Sequence, residues 1–590
     1  MKKNSLKLLA LLLVLAMALG ALAGCGTPEA SSAPAEDETP AASEEASAGT
    51  AAEPEEAPAA PVEEPASVEE PVSVVEEPAE PGEIVLEKVD LPIEEEAVHY
   101  TCWMPVAPYV GEFMNLDEFS EKVAIVKLIN EATNVYIDYN AVAGGAVEEE
   151  AFNLMIAAGD YTDIIGVMNY YSGANSGSAG HEKAINDEVI IDIKDDLETY
   201  APNYWSYLTS DDDAYMTMLT PSGYMGCVAQ LLKGSESMGM IIRKDWYDAS
   251  GVSSLETVDD FEEYLTYCKD TYGAYAYLSY GGLDTDFAAA FNINAGGFNL
   301  VDGEVIHAYN MPAFTDYLAK MNDWYKKGLF NDDFYNDTDV TTVRTDMAND
   351  LCSFVDGSAS NMGMIYDMNP DNTAMELMGI PYLKADGVDE VHAGNKPSLI
   401  KNSDTWAVSV ACEDHIPLMK LINFLYSEEG QQLYNWGEEH VAFEYDANGD
   451  PQWTDLVINN PDGLNFMFAS YLYAAGTGSV FFPSVYHIEK EYYDAKPGVL
   501  DAMNTFDTQT DGAYSMPRYV TLDSEAQEEY LSMATELETY AEGMILKFII
   551  GDEPMENYDA FLQQCKDMGL DRMTELYQAA YDRAQEALNG

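Results

Sequence analysis

The sequence predicts an α/β protein of two hinge-linked lobes carried behind a disordered tether, and three observations lead there. Strand-like and helix-like periodicities alternate from His99 to Met168. About 490 residues follow the tether, too many for one hydrophobic core. The composition also breaks abruptly near Glu96.

The N-terminal segment comes first in the chain and sets the compartment. Lys2, Lys3 and Lys7 precede a run from Leu8 to Leu22 that is almost purely apolar. That run has the length of a signal-peptide core and falls short of the roughly 20 residues of a bilayer span. It closes on Leu22-Ala23-Gly24-Cys25, which resembles a bacterial lipobox. Residues 1–24 are therefore expected to be a lipoprotein signal peptide, with Cys25 lipidated at the mature N-terminus. Two or three acyl chains on one residue hold a protein where a single chain is marginal.

Residues 25–96 are dominated by Ala, Glu, Pro, Ser and Val, repeat Val-Glu-Glu-Pro and hold no aromatic residue. Such a segment cannot bury a core, so it reads as an extended tether with a reach on the order of 45 Å. The spacer suits a thick cell wall. Across the whole chain 105 acidic residues face 27 basic ones, a net charge of -78, and only about a fifth of the acids lie in the tether. Such a surface excludes nucleic acid and anionic membrane as partners.

Cys102, Cys227, Cys268, Cys352, Cys412 and Cys565 are widely spaced, and the seven histidines show no paired spacing. Neither a disulfide framework nor a metal site is signalled, and no cofactor is expected. A GxSxG elbow and a GxxxxGK[ST] loop are both missing. Asp446-Ala-Asn-Gly-Asp450 alternates oxygen donors as calcium loops do, lacks the rest of the ligand pattern, and reads as a polar hairpin turn.

Within the folded part, His99–Pro105 reads as a strand, Phe119–Ala132 as a helix and Asn134–Asn140 as a second strand. A helix from Val147 to Ala158, a Gly159-Asp160 stop and a buried strand over Ile164–Met168 follow. Repetition of this unit builds a parallel-rich sheet, whose ligands lie at the carboxyl ends of the strands.

Several segments, in order, resemble family 1 extracellular solute-binding proteins of ABC importers. They are Phe152-Asn-Leu-Met-Ile-Ala-Ala-Gly-Asp-Tyr-Thr-Asp-Ile-Ile165, Ile242-Arg-Lys-Asp-Trp246 with Thr257-Val-Asp-Asp-Phe261, and Asp302-Gly303. Trp324-Tyr-Lys-Lys-Gly-Leu329, Leu425-Tyr-Ser-Glu-Glu-Gly430, Lys547-Phe-Ile-Ile-Gly551 and Met568-Gly-Leu-Asp571 continue the series into the LplA-like oligosaccharide-binding lipoprotein branch.

That resemblance implies a type II periplasmic-binding-protein fold over 97–590, with lobe 1 at about 97–226 and 400–436 and lobe 2 at about 231–399 and 437–590. It implies a first crossing between lobes near Tyr224–Gln230 and a final one near Gly437. It further implies a non-enzymatic, monomeric, lipid-anchored receptor on the outer face of the membrane, handing an oligosaccharide to permease subunits with a separate ATPase. A surface-anchored glycan-active enzyme and a peptide-binding receptor are the alternatives.

A sugar cleft needs aromatic platforms beside polar groups, and the chain holds 40 Tyr and seven Trp. Trp103 closes the first strand, and Asn169, Tyr170 and Tyr171 follow the Ile164 strand. Asp163 either bonds a ligand hydroxyl or caps local backbone. The resemblance adds Tyr224 at the hinge, Phe298 and Tyr366 as second-lobe platforms, Trp406 at the recrossing, and Trp436 with Glu439. His440 stands where the branch usually has glycine. Trp205, Trp246 and Trp324 read as packing.

Overall fold

The computed structural model describes residues 84 and 86–589, apart from 108–109, 145–147, 167, 169–170, 172–176, 235–237, 278–284, 331–333, 337–339, 395, 477–480 and 493–495. Cys25 and most of the expected tether lie outside the described residues.

The chain opens with β1 (Val98–Val106), β2 (Val135–Ala143) and β3 (Ile164–Ile165), then β4 (Cys227–Lys233). It crosses to a second lobe with β5 (Met238–Arg243), β6 (Tyr275–Ala276), β7 (Phe298–Val301), β8 (Glu304–His307), β9 (Cys352–Ser358) and β10 (Leu377–Ile380). It returns with β11 (Ile400–Val408), β12 (Phe443–Tyr445), β13 (Pro451–Trp453) and β14 (Val485–His487). A six-stranded sheet of order β14-β4-β11-β3-β1-β2 forms lobe 1, and a four-stranded sheet β10-β5-β9-β6 forms lobe 2. β1 runs parallel to β2 and β3, whereas the returning β11 is antiparallel to both β3 and β4.

Local chemistry explains these elements. The helix expected over 119–132 is two, Phe119–Lys122 and Ala124–Thr133, separated by Val123 in an extended conformation. Asn134 ends it at φ 57, a left-handed cap that asparagine tolerates, and launches β2. The third strand is only two residues long because Gly166 already leaves the ladder after its N–H bonds Trp103 O. In lobe 2, Thr257 and Asp260 exchange side-chain and backbone bonds of 3.1 Å in a capping box that starts helix Val258–Tyr272. Alternation sorts β5 between two cores: Met240 and Ile242 pack with Phe261 and Trp324, while Ile241 packs with Leu377 and Phe506.

The lobe boundaries differ from the expected ones. β4 stays in lobe 1 through Lys233, so the first crossing follows Gly234 instead of Tyr224–Gln230. β14 pairs in parallel with β4, which keeps 437–487 in lobe 1. The final crossing therefore lies between Ile488 and helix Val499–Asp507, which packs on β10 and β5. The C-terminal helices Ser524–Ile550, Tyr558–Asp567 and Leu570–Asn589 pack on lobe 2, where Ala541, Ile545, Phe548 and Phe561 share a core with Leu318 and Trp324.

The six cysteines after Cys25 are free thiols. Two buried histidines make stability depend on pH. His307 Nδ1 accepts from Tyr309 N at 3.3 Å, and burial pushes its pKa down to about 3; burial holds His181 at about 4. Both are neutral when folded and take up protons near pH 6.5 when unfolded, so their stabilisation is present above that value and lost as pH falls toward 4. Urea unfolding is expected to show a loss of about 1.4 kcal/mol per pH unit per histidine across this window. His307→Gln should remove one such increment; an unchanged slope would refute the assignment.

Candidate functional site

The carboxyl ends of β1, β3 and β4 share one edge of the lobe 1 sheet, because these strands are mutually parallel and β11 between them is reversed. From Lys233 at that edge to Met238, the first residue of β5, the chain spans at most about 17 Å. Met238 lies opposite Ser358, the last residue of β9, so the lobe 2 edge near this crossing consists of the start of β5 and the end of β9. The cleft is the space between these two edges.

The third crossing is anchored by polar groups. Lys490 is buried, donates to Asn435 Oδ1 at 3.0 Å and to Ala475 O, and lies 3.9 Å from the centroid of the Tyr486 ring. Burial pushes its ammonium well below the usual lysine range. Asn435 also donates to Val485 O and accepts from His487 N, fixing the C-terminus of helix Glu428–Trp436 beside β14.

At the β1 end, the short helix Val110–Phe113 places Phe113 against Phe468 of helix Phe466–Tyr473, with centroids 4.5 Å apart and planes at 27°. Both rings are partly exposed. Across the cleft, Ser358 caps helix Ala359–Met368, and Asn361 Oδ1 accepts from both Ser358 N at 3.1 Å and Arg344 Nη2 at 2.9 Å. Burial lowers the Arg344 guanidinium pKa and raises that of the Asp356 carboxyl, and each is the charged group the other feels. Among the described residues, no group of three His, Cys, Asp or Glu could hold a metal ion, and no helix is long and apolar enough to cross a membrane.

The family described as bacterial extracellular solute-binding protein matches residues 115–432, more than half of the sequence. The chain belongs to this family. Among curated proteins none matches. An HMO-binding, ABC-transporter-associated solute-binding protein from Bifidobacterium longum infantis is similar at 16% identity and TM-score 0.66, covering 83% of this chain and 99% of its own. The Streptococcus pneumoniae protein FusA, an EF-hand mutant in complex with fructo-nystose, is 18% identical at TM-score 0.63, covering 83% and 100%. The alginate-binding protein AlgQ2 is 18% identical at TM-score 0.62, covering 83% and 99%. At these identities the likeness is one of fold.

This solute-binding protein places the expected contact residues unevenly. Asn169 and Tyr170 lie outside the described residues. Tyr171, buried, donates from its hydroxyl to Asp187 Oδ2 at 2.9 Å. Trp103 is in the core, 4% exposed and edge-on to Phe152, because its position on β1 turns it toward helix Glu148–Ala158. Trp406 is also core, donating from Nε1 to Phe481 O at 3.0 Å. Trp436 packs against Trp453, with ring planes at 40°, in a small cluster with Phe443.

Asp163 caps backbone: its Oδ2 accepts from Thr101 N and Thr101 Oγ1, both at 2.8 Å, at the amino end of β3 and thus away from the cleft edge. Tyr366 braces lobe 2, donating to Pro497 O at 3.2 Å and accepting from Leu377 N at 2.8 Å. Tyr224 is exposed in the turn before β4, at that strand's amino end. Glu439 is exposed beside His440, whose φ of 66 explains why glycine suits that position.

Phe298 packs on Tyr577 and lines a groove of about 500 Å³ between the lobes. That groove is walled by Asp211, Asp213 and Thr217 from lobe 1 and by Lys396, Arg518 and Tyr519. Among the described residues that line it, none comes from the segments that follow β1 and β3 or from the end of β9. Asp446 Oδ1 accepts from Asn448 N and Asp450 N inside the β12–β13 hairpin, a polar turn as expected.

Proposed function

We propose that this protein captures an oligosaccharide in the interlobe cleft and delivers it to the permease of an ABC importer, as a member of the LplA-like branch. The observation that carries the reading is the stacked, half-open Phe113–Phe468 pair at the carboxyl end of β1, an apolar platform of the kind a sugar ring's C–H face requires. Glycan-binding relatives of the same fold support it. In this reading Asn169 and Tyr170, which follow β3, contribute polar contacts, while Tyr171 braces that segment through Asp187, and solute shifts the lobes from open to closed by binding the closed state better. The lipobox-like Leu22–Cys25 segment supports anchoring through Cys25 at the outer face of the membrane.

A thermal-shift screen of neutral oligosaccharides against peptides tests the reading, since a ligand at 100 times its Kd adds about 2.7 kcal/mol. Stabilisation by a peptide and by no glycan would sink it. Phe468→Ala is expected to weaken glycan binding about 5- to 10-fold, the loss of roughly 1 kcal/mol of stacking. Calorimetry would check this, and wild-type affinity in the variant would remove the platform from the site.

A further inference from the structure

The groove that Phe298 lines is tied to both edges of the cleft. Leu399 O, in its wall, accepts from Leu232 N at 2.7 Å where β4 ends, and Arg518 Nη1 donates at 3.2 Å to the oxygen of Ile400, the first residue of β11. Both contacts mark the lobe 1 edge. At the start of the same wall, Gln509 Nε2 donates at 2.6 Å to the oxygen of Met238, which opens β5 at the lobe 2 edge. The segment 509–519 therefore spans the space between the two edges. From lobe 1, Asp213 reaches across to Lys396 in an ion pair of 3.5 Å. Strand order places β11 two positions from β1, so the groove opens about 10 Å along the sheet edge from the strand that leads to Phe113.

The chemistry of the groove suits a sugar. Its volume of about 500 Å³ falls in the range of small-molecule sites. Phe298, held by Tyr577 at a centroid distance of 4.4 Å and by His307 at 5.0 Å, supplies a half-buried ring. The walls add the acceptors Asp211 and Asp213, the donors Lys396 and Arg518, and the Tyr519 hydroxyl, which does both. A sugar ring matches this set, with an apolar C–H face and hydroxyls that donate and accept. Among the described lining residues three carboxylates, Asp511 being the third, stand against two cations, which disfavours an anionic chain. We propose that this hinge-side groove is a second sugar subsite, so that the solute is an uncharged glycan long enough to run from the Phe113–Phe468 platform to Phe298. The inference rests on the oligosaccharide reading and adds a length to it.

The test is calorimetric titration of the wild type, F298L and R518Q with three pairs of glycans, maltose and maltotetraose, cellobiose and cellotetraose, and sucrose and nystose, with trigalacturonate as the acidic probe. At least one neutral tetrasaccharide is expected to bind the wild type about 10-fold or more tightly than its disaccharide, since only the longer chain reaches both subsites. F298L should weaken that tetrasaccharide about 5- to 10-fold, the scale of one aromatic platform, and R518Q about 10-fold, the scale of a hydrogen bond to a charged group. The preference for length should shrink accordingly in each variant. Melting of the unliganded proteins accompanies the titrations: if F298L melts markedly lower, R518Q, on the exposed rim, decides. Variants that bind the tetrasaccharide as the wild type does, or a disaccharide that binds as tightly as the tetrasaccharide, would overturn the second subsite and leave the oligosaccharide reading standing. Tighter binding of trigalacturonate than of any neutral glycan would overturn the preference for an uncharged chain. Failure of every glycan with the wild type would remove the reading itself and the inference with it.

Discussion

Replacing Arg243 with methionine is expected to lower folding stability by about 3 kcal/mol, the scale for breaking a buried ion pair. Arg243 closes β5 and is only 2% exposed. Its Nε and Nη2 donate to the two carboxylate oxygens of Asp245 at 2.9 and 2.7 Å, and its Nη1 donates to Asp350. The guanidinium also lies 4.1 Å from the centroid of the Trp246 ring. One side chain thus ties the end of β5 to the following helix and to the turn at Asp350. Methionine keeps the apolar stem, so the loss reports the charged head. Asp245→Asn should cost less, because Asp350 remains. Urea unfolding would measure both, and a loss below about 1 kcal/mol for Arg243→Met would show that the network is dispensable.

This residue also shows what was legible in the sequence. The segments Ile242–Trp246 and Thr257–Phe261 stood out as part of the family series, and they hold the end of β5 and the start of a capped helix. The Asp446–Asp450 turn was legible because its signals lie within a few residues of each other. The final crossing was not. β14 is three residues long, too short for a period to show, and its partner β4 lies some 250 residues earlier. Position at a strand end likewise located Trp103 without saying which face it takes, and the face buries it. Phe113 and Phe468 become a pair only through the fold, because Phe113 closes the short helix Val110–Phe113 beyond β1 and Phe468 lies in a helix far along the chain.

Gly430 gives the second large effect, and its sign opposes helix propensity. It occupies the third position of helix Glu428–Trp436, where alanine would ordinarily be favoured by about 1 kcal/mol. Here a Cβ would lie 1.9 Å from Phe424 O, 2.7 Å from Phe424 C and 2.9 Å from Leu425 Cα. The obstacle is backbone of the preceding helix, Ile416–Leu425, which cannot rotate away as a side chain would. The turn is fixed besides: Ser427 Oγ accepts from Gly430 N at 3.2 Å and donates to Phe424 O at 2.7 Å. Gly430→Ala must therefore separate two buried helices that carry Leu425 and Tyr434. A loss of about 3 kcal/mol is expected, at the upper end of overpacking costs. A urea midpoint equal to or above that of the wild type would mean the helices part cheaply. The expected drop would tie this glycine of the Leu425–Gly430 motif to close backbone approach rather than to solute contact, since its side-chain position points at Phe424 and not at the cleft.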